Sequence, residues 1–109
     1  MPFTEKTGRG AEGLSPQKLE LLQKEAADCT LAGEQFDLQG NPEQAEGQYL
    51  QALRISVRLL ELTGEPVYAD AASENCSSLA DLCMQQGNMH GADRYYVLSL
   101  HYARRNQEK

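Results

Sequence analysis

Gly33-x-x-Phe36-x-x-x-Gly40-Asn41-x-x-x-Ala45-x-x-x-Tyr49 returns 47 residues further on as Ala80-x-x-Cys83-x-x-x-Gly87-Asn88-x-x-x-Ala92-x-x-x-Tyr96. Six positions correspond in order: small, bulky, Gly, Asn, Ala and Tyr. Recurrence at a fixed period is the mark of stacked helical repeats, each unit being unable to bury its apolar face alone. Steps of three and four on both sides of a central Gly-Asn describe two helices joined by a tight turn. A glycine there can take the left-handed conformation that closes a helix, and an asparagine can open the next one.

Working outward, Ser15-Pro16 reads as a helix start: Ser15 caps and Pro16 sits where a missing N–H is harmless. Leu19, Leu22, Ala26, Cys29, Gly33 and Phe36 then mark one face of a long helix. Asn41 is expected to cap the second helix and Pro42 to begin it, over about 42–62. That helix carries two apolar stripes, Ala45, Tyr49, Ala52, Ser56 and Leu59 beside Leu50, Leu53, Val57 and Leu60. Such breadth predicts burial between several neighbours. Gly64-Glu65-Pro66 breaks the chain again before a third helix through Ala69, Ala72, Cys76, Leu79, Ala80 and Cys83. A fourth, over about 89–106, places Ala92, Tyr96, Ser99 and Ala103 on one stripe and Tyr95, Leu98 and Tyr102 on another. No stretch alternates as a strand would. The expected fold is all-α, with two antiparallel helix hairpins at about 15–62 and 66–106 in one domain over 14–109. Residues 1–13, with three glycines and little apolar content, read as a flexible leader.

Charge and cysteine use narrow the function. Residues 14–93 hold 13 acids against four bases, whereas 94–109 hold Arg94, Arg104, Arg105 and Lys109 against Glu108. A body this acidic repels phosphate backbones, so nucleic acid is not an expected partner. No window reaches the roughly 18 to 20 apolar residues of a membrane span. The N-terminus lacks the apolar segment of a signal peptide. Three cysteines without metal-type spacing suggest reduced thiols inside a cell, in the cytoplasm first and with the nucleus open. His90 and His101 are 11 residues apart on one helix. Cys76 and Cys83 are two turns apart, roughly 10 Å. Neither pair converges as zinc ligands do, at about 2.0–2.3 Å from the ion. No nucleophile–base arrangement emerges from the spacing. Neither enzymatic activity nor a cofactor is expected. Arg54 and Arg58 form a one-turn ladder able to pair with Glu61, a solvated face by preference.

At the repeated positions the chain resembles the tetratricopeptide repeat family. Gly33 and Ala80 let paired helices approach, and Phe36 and Cys83 fill the space beside them. Gly40 and Gly87 turn the chain, while Ala45 and Ala92 sit at the tight crossing under Tyr49 and Tyr96. The resemblance covers about residues 24–106. The usual unit is about 34 residues, so these units are extended, in the style of kinesin light chains. There, paired asparagines precede the Leu-Ala that follows Ser77-Ser78 here.

The resemblance implies a short right-handed array whose first helices line a groove for a peptide or partner helix. By alignment that groove holds Thr30, Glu34, Asp37, Glu74, Ser77, Ser78, Asp81 and Met84. The Lys, Arg and Asn with which some members clasp a C-terminal carboxylate are missing, so that ligand is rejected. Acids at these places suit a basic or amide-rich segment. The implied function is a non-enzymatic adaptor or scaffold in complex assembly. An alternative is an assembly module: with no capping helix after the last hairpin, Tyr95, Leu98 and Tyr102 form an exposed stripe for self-association. A further alternative is a bundle resembling the microtubule-interacting and trafficking modules. Those have three helices, and the second repeat copy argues against them.

Overall fold

The computed structural model of the chain describes residues 15–107. Residues 1–13, read from sequence as a leader, lie outside the described residues. Four helices follow one another: α1 (Pro16–Leu38), α2 (Pro42–Thr63), α3 (Pro66–Gln85) and α4 (Met89–Gln107). No strand occurs among the described residues. α1 packs on α2, α3 packs on α4, and α2 joins the two antiparallel hairpins by packing on α3. The all-α reading and the two-hairpin arrangement hold.

Local chemistry sets the helix ends. Ser15 Oγ accepts from the Lys18 N–H at 3.2 Å, and Pro16 occupies the first turn. α1 and α3 end in the same way, each with a left-handed glycine at φ 80° (Gly40) or 78° (Gly87). The following Asn N–H donates to the carbonyl five residues back, Asn41 to Phe36 O and Asn88 to Cys83 O, both at 2.8 Å. The glycine N–H donates to Asp37 O and Met84 O at 3.0 and 3.1 Å. This pair of bonds is the Schellman closure, which satisfies carbonyls the helix would otherwise leave without donors. Phe36 and Cys83 thus correspond in backbone role as well as in position.

The two asparagines differ at the next helix. Asn88 Oδ1 accepts from the Gly91 N–H at 3.0 Å, so it caps α4 as expected. Asn41 stands at the N-cap of α2 but its side chain makes no capping bond. Its backbone, at φ −111° and ψ 74°, lies outside the extended region that a capping residue takes, as Ser15 does at φ −70° and ψ 162°. The expectation that Asn41 caps through its side chain is corrected.

The core runs along α2 and α3. Leu59, Leu79, Leu82 and Cys76 are fully enclosed, and alanines 45, 52, 69, 72 and 80 let the backbones approach. Tyr49, Leu79, Leu82 and Ala45 make one cluster near the turns, with Phe36, Leu50, Leu53 and Tyr95 packed on it. Ile55, Leu59, Leu60, Tyr68 and Ala69 make the other, with Leu19, Leu22, Ala26 and Tyr102 against it. Burial of α2 on two sides matches its two apolar stripes. Every buried side-chain nitrogen or oxygen among the described residues has a partner. That is what a settled helical core requires.

Candidate interaction groove and the last helix

α1 and α3 lie side by side and leave a groove between them. Ala26, Ala27 and Ala71 line its walls, and Ser56 and Leu59 of α2 form its floor. The small alanines keep it open. Its free volume is about 200 Å³. Two hydrogen bonds tie the walls together: Gln23 Nε2 donates to Tyr68 Oη, and Thr30 Oγ1 donates to Asn75 Oδ1 at 3.2 Å. Asn75 is buried, so its bond with Thr30 satisfies a group that would otherwise be costly to enclose. Val67 stands exposed on the α3 wall, and Glu74 brings a carboxylate to the rim.

The eight groove residues expected from alignment separate into four sets. Thr30 and Glu74 line the groove just described. Glu34, Asp37, Ser78 and Asp81 all act on the Tyr49 hydroxyl nearer the turns. Burial raises the Tyr49 phenol above its ordinary value, the Ser78 hydroxyl opposes this, and the three carboxylates add to the rise. Asp81 also accepts from the exposed Tyr96 hydroxyl at 3.0 Å, a bond that raises the Tyr96 phenol. Met84 is exposed further along α3.

Ser77 belongs elsewhere. Its hydroxyl lies 2.9 Å from Ser99 Oγ of α4, and Ser73 donates to the Ser99 carbonyl at 2.9 Å. Ser99 donates in turn to the Ser73 carbonyl at 3.0 Å. Ser73, Ser77 and Ser99 therefore make a hydroxyl seam inside the second hairpin, and the assignment of Ser77 to the groove is corrected. Small hydroxyls at a close crossing face each other, and the alignment did not register that rotation of α3. Gln23, Tyr68 and Asn75 were missed from sequence. The 45-residue separation of both bonded pairs is the one signal that could have found them, because it nearly matches the repeat period.

On α4 the expected stripe also shifts. Leu98 is exposed, whereas Tyr95 and Tyr102 are half-buried. Tyr95 packs on the turn-side cluster and Tyr102 on the other, because their long rings reach past α3 toward α2. Burial raises both phenols, with Glu46 adding to Tyr95. The exposed apolar residues of α4 are instead Met89, Tyr96, Val97, Leu98 and Leu100.

The three thiols are free and buried. Burial raises all of them, Cys76 to about 11, so they are protonated at neutral pH. Among the described residues no three His, Cys, Asp or Glu side chains converge as metal ligands, and no helix is long and apolar enough to cross a membrane. Arg54 and Arg58 are exposed. Lys24 and Asp28 form an ion pair on the exposed surface at 3.1 Å. Comparison with protein-family models, with curated proteins and with solved structures returns no match for the chain.

Proposed function

We propose that this chain is a non-enzymatic protein-interaction module, a helical adaptor that takes a partner's helix or extended segment between α1 and α3. The observation that carries the reading is the groove itself: alanine walls and a Leu59 floor, braced by Gln23–Tyr68 and Thr30–Asn75. A braced groove loses little freedom on binding, which favours affinity from a small contact. The Gly-Asn turns and Ala–Tyr crossings that resemble the tetratricopeptide family support it, since in that family the first helices receive the ligand.

Glu74 at the rim, with Glu34, Asp37 and Asp81 farther along, favours a segment that offers apolar groups to the floor and basic or amide groups to the rim. Protonated, enclosed thiols are poor nucleophiles and suit a reducing intracellular setting.

The test is a fluorescence titration with an amphipathic Leu/Lys helical peptide. Binding should be weakened at least tenfold by Ala71→Trp, which fills the groove without altering charge, and by the Glu34→Lys, Glu74→Lys pair. Affinity unchanged by both would sink the groove reading.

A further inference from the structure

The 47-residue period maps each residue of α2 onto one of α4, and the map shows what covers α2 and what leaves α4 open. Tyr49 of α2 is buried and Leu50, Leu53 and Val57 are half-buried, and the first three pack with Leu79, Leu82 and Tyr95 of the second hairpin. Their counterparts Tyr96, Val97, Leu100 and Arg104 are exposed, with Val97 and Leu100 each at 63 %. The acid that precedes the stripe, half-buried Glu46, corresponds to exposed Asp93.

A third hairpin like the second would demand an apolar residue where α2 has Val57. α4 has an arginine there. The α4 stripe therefore runs acid, apolar, apolar, apolar, base: Asp93, Tyr96, Val97, Leu100, Arg104. At about 100° per residue these five fall within an arc of roughly 100°, with Tyr96 at the edge nearest the buried Ala92 and Ser99 and Val97 at the far edge.

This order is self-complementary when two such helices lie antiparallel. The point midway between Val97 and Leu100 is also midway between Asp93 and Arg104. A two-fold axis there sets Val97 against Leu100 of the second copy and Asp93 against its Arg104, twice over. Helices packed at about 8–10 Å let these side chains meet, and a two-fold contact uses the same patch on both copies. Arg94 and Arg105 lie off the stripe, and Arg94 shares a cleft with Glu46. We propose that the exposed α4 stripe Asp93–Tyr96–Val97–Leu100–Arg104 is a homodimer interface, closed by antiparallel pairing with α4 of a second copy.

The stripe is one helix wide, so the dimer is a weak and reversible one, read by sedimentation equilibrium of the intact chain up to millimolar concentration. Val97→Glu and Leu100→Glu should each leave a monomer. Asp93→Arg alone and Arg104→Asp alone each place like charges at both ends, and each should weaken the dimer roughly tenfold. Mixed in equal amounts, these two variants restore both opposite-charge contacts, so a heterodimer should recover parent-like affinity. All four side chains are exposed, so unchanged circular dichroism separates loss of association from loss of fold. A monomeric parent overturns the proposal. So does a dimer indifferent to Val97→Glu, or one that mixing fails to restore. If the parent is a monomer that instead binds a peptide of the α3 sequence in a Val97-dependent way, the stripe takes a stack-continuing helix and not a second copy.

Discussion

Gly33 of α1 lies directly beneath the ring of Tyr49 of α2, so close that a Cβ built on it would stand 2.9 Å from both Cδ1 and Cε1. No real Cβ tolerates that distance, and the ring, only 4 % exposed, is held by α3 from above. In the second repeat Ala80 stands where Gly33 does, and Tyr96 is 39 % exposed with its hydroxyl on Asp81. The first crossing is closed by a glycine under a buried ring, the second by an alanine beside an exposed one.

Gly33→Ala should therefore destabilise the fold by about 1–3 kcal/mol, the cost of overpacking, despite alanine's better helix propensity. Gly47, exposed on α2 with nothing near an added Cβ, is the control. Gly47→Ala should stabilise by roughly 0.5–1 kcal/mol. Urea denaturation of the two variants reads the opposite signs. Equal signs would remove the account of Gly33.

The two turns provide a second measurement. Gly40 and Gly87 hold φ of 80° and 78° with open space around them, so alanine there is penalised by backbone conformation and not by crowding. Each Gly→Ala change should cost about 1 kcal/mol. The sites share no partner, so the double variant should lose nearly the sum. A strongly non-additive result would mean that the turns communicate.

Ser99 anchors the seam with Ser73 and Ser77. Ser99→Ala should cost about 1–2 kcal/mol because it strands the facing hydroxyls. Replacing all three serines by alanine should cost less than the three single changes added together, since no group is then left unpaired. Thermal or urea unfolding of the set decides it.

Alkaline pH should destabilise the protein through Cys76. Its enclosed thiol is raised from the ordinary 9.0 to about 11. The folded state then keeps a proton that the unfolded chain releases. That contribution is fully present below pH 9 and is lost as pH rises toward about 11, in total roughly 2–3 kcal/mol. Cys76→Ala should flatten this part of the stability–pH curve while lowering stability at neutral pH through the cavity it leaves. An unchanged slope between these pH values would show that other groups set it.

Much of the architecture was legible because it is local. Ser15, the Gly-Asn pairs and Pro42 and Pro66 act on backbone groups within a turn of themselves, so the helix limits follow from neighbouring residues alone. The repeat was legible for a related reason: Gly33 and Ala80, or Tyr49 and Tyr96, solve the same crossing twice. Where Asn41 fails to cap, the factor is its own backbone, which departs from the extended conformation that Ser15 holds.

The direction of each exposed-looking side chain was not local. Ser77 turned inward to Ser99, and Tyr95 and Tyr102 folded onto the core although their spacing promised a free stripe. Gln23 and Tyr68 joined a groove that neither helix displays by itself. A rotation of one helix by a fraction of a turn decides each of these cases, and periodicity leaves that rotation undetermined. By itself the sequence determined that there are four helices, where they begin and end, and that two hairpins repeat. Only the tertiary structure decided which faces are shared, because burial depends on what the neighbouring helix places opposite, and that neighbour lies 22 to 45 residues away along the chain.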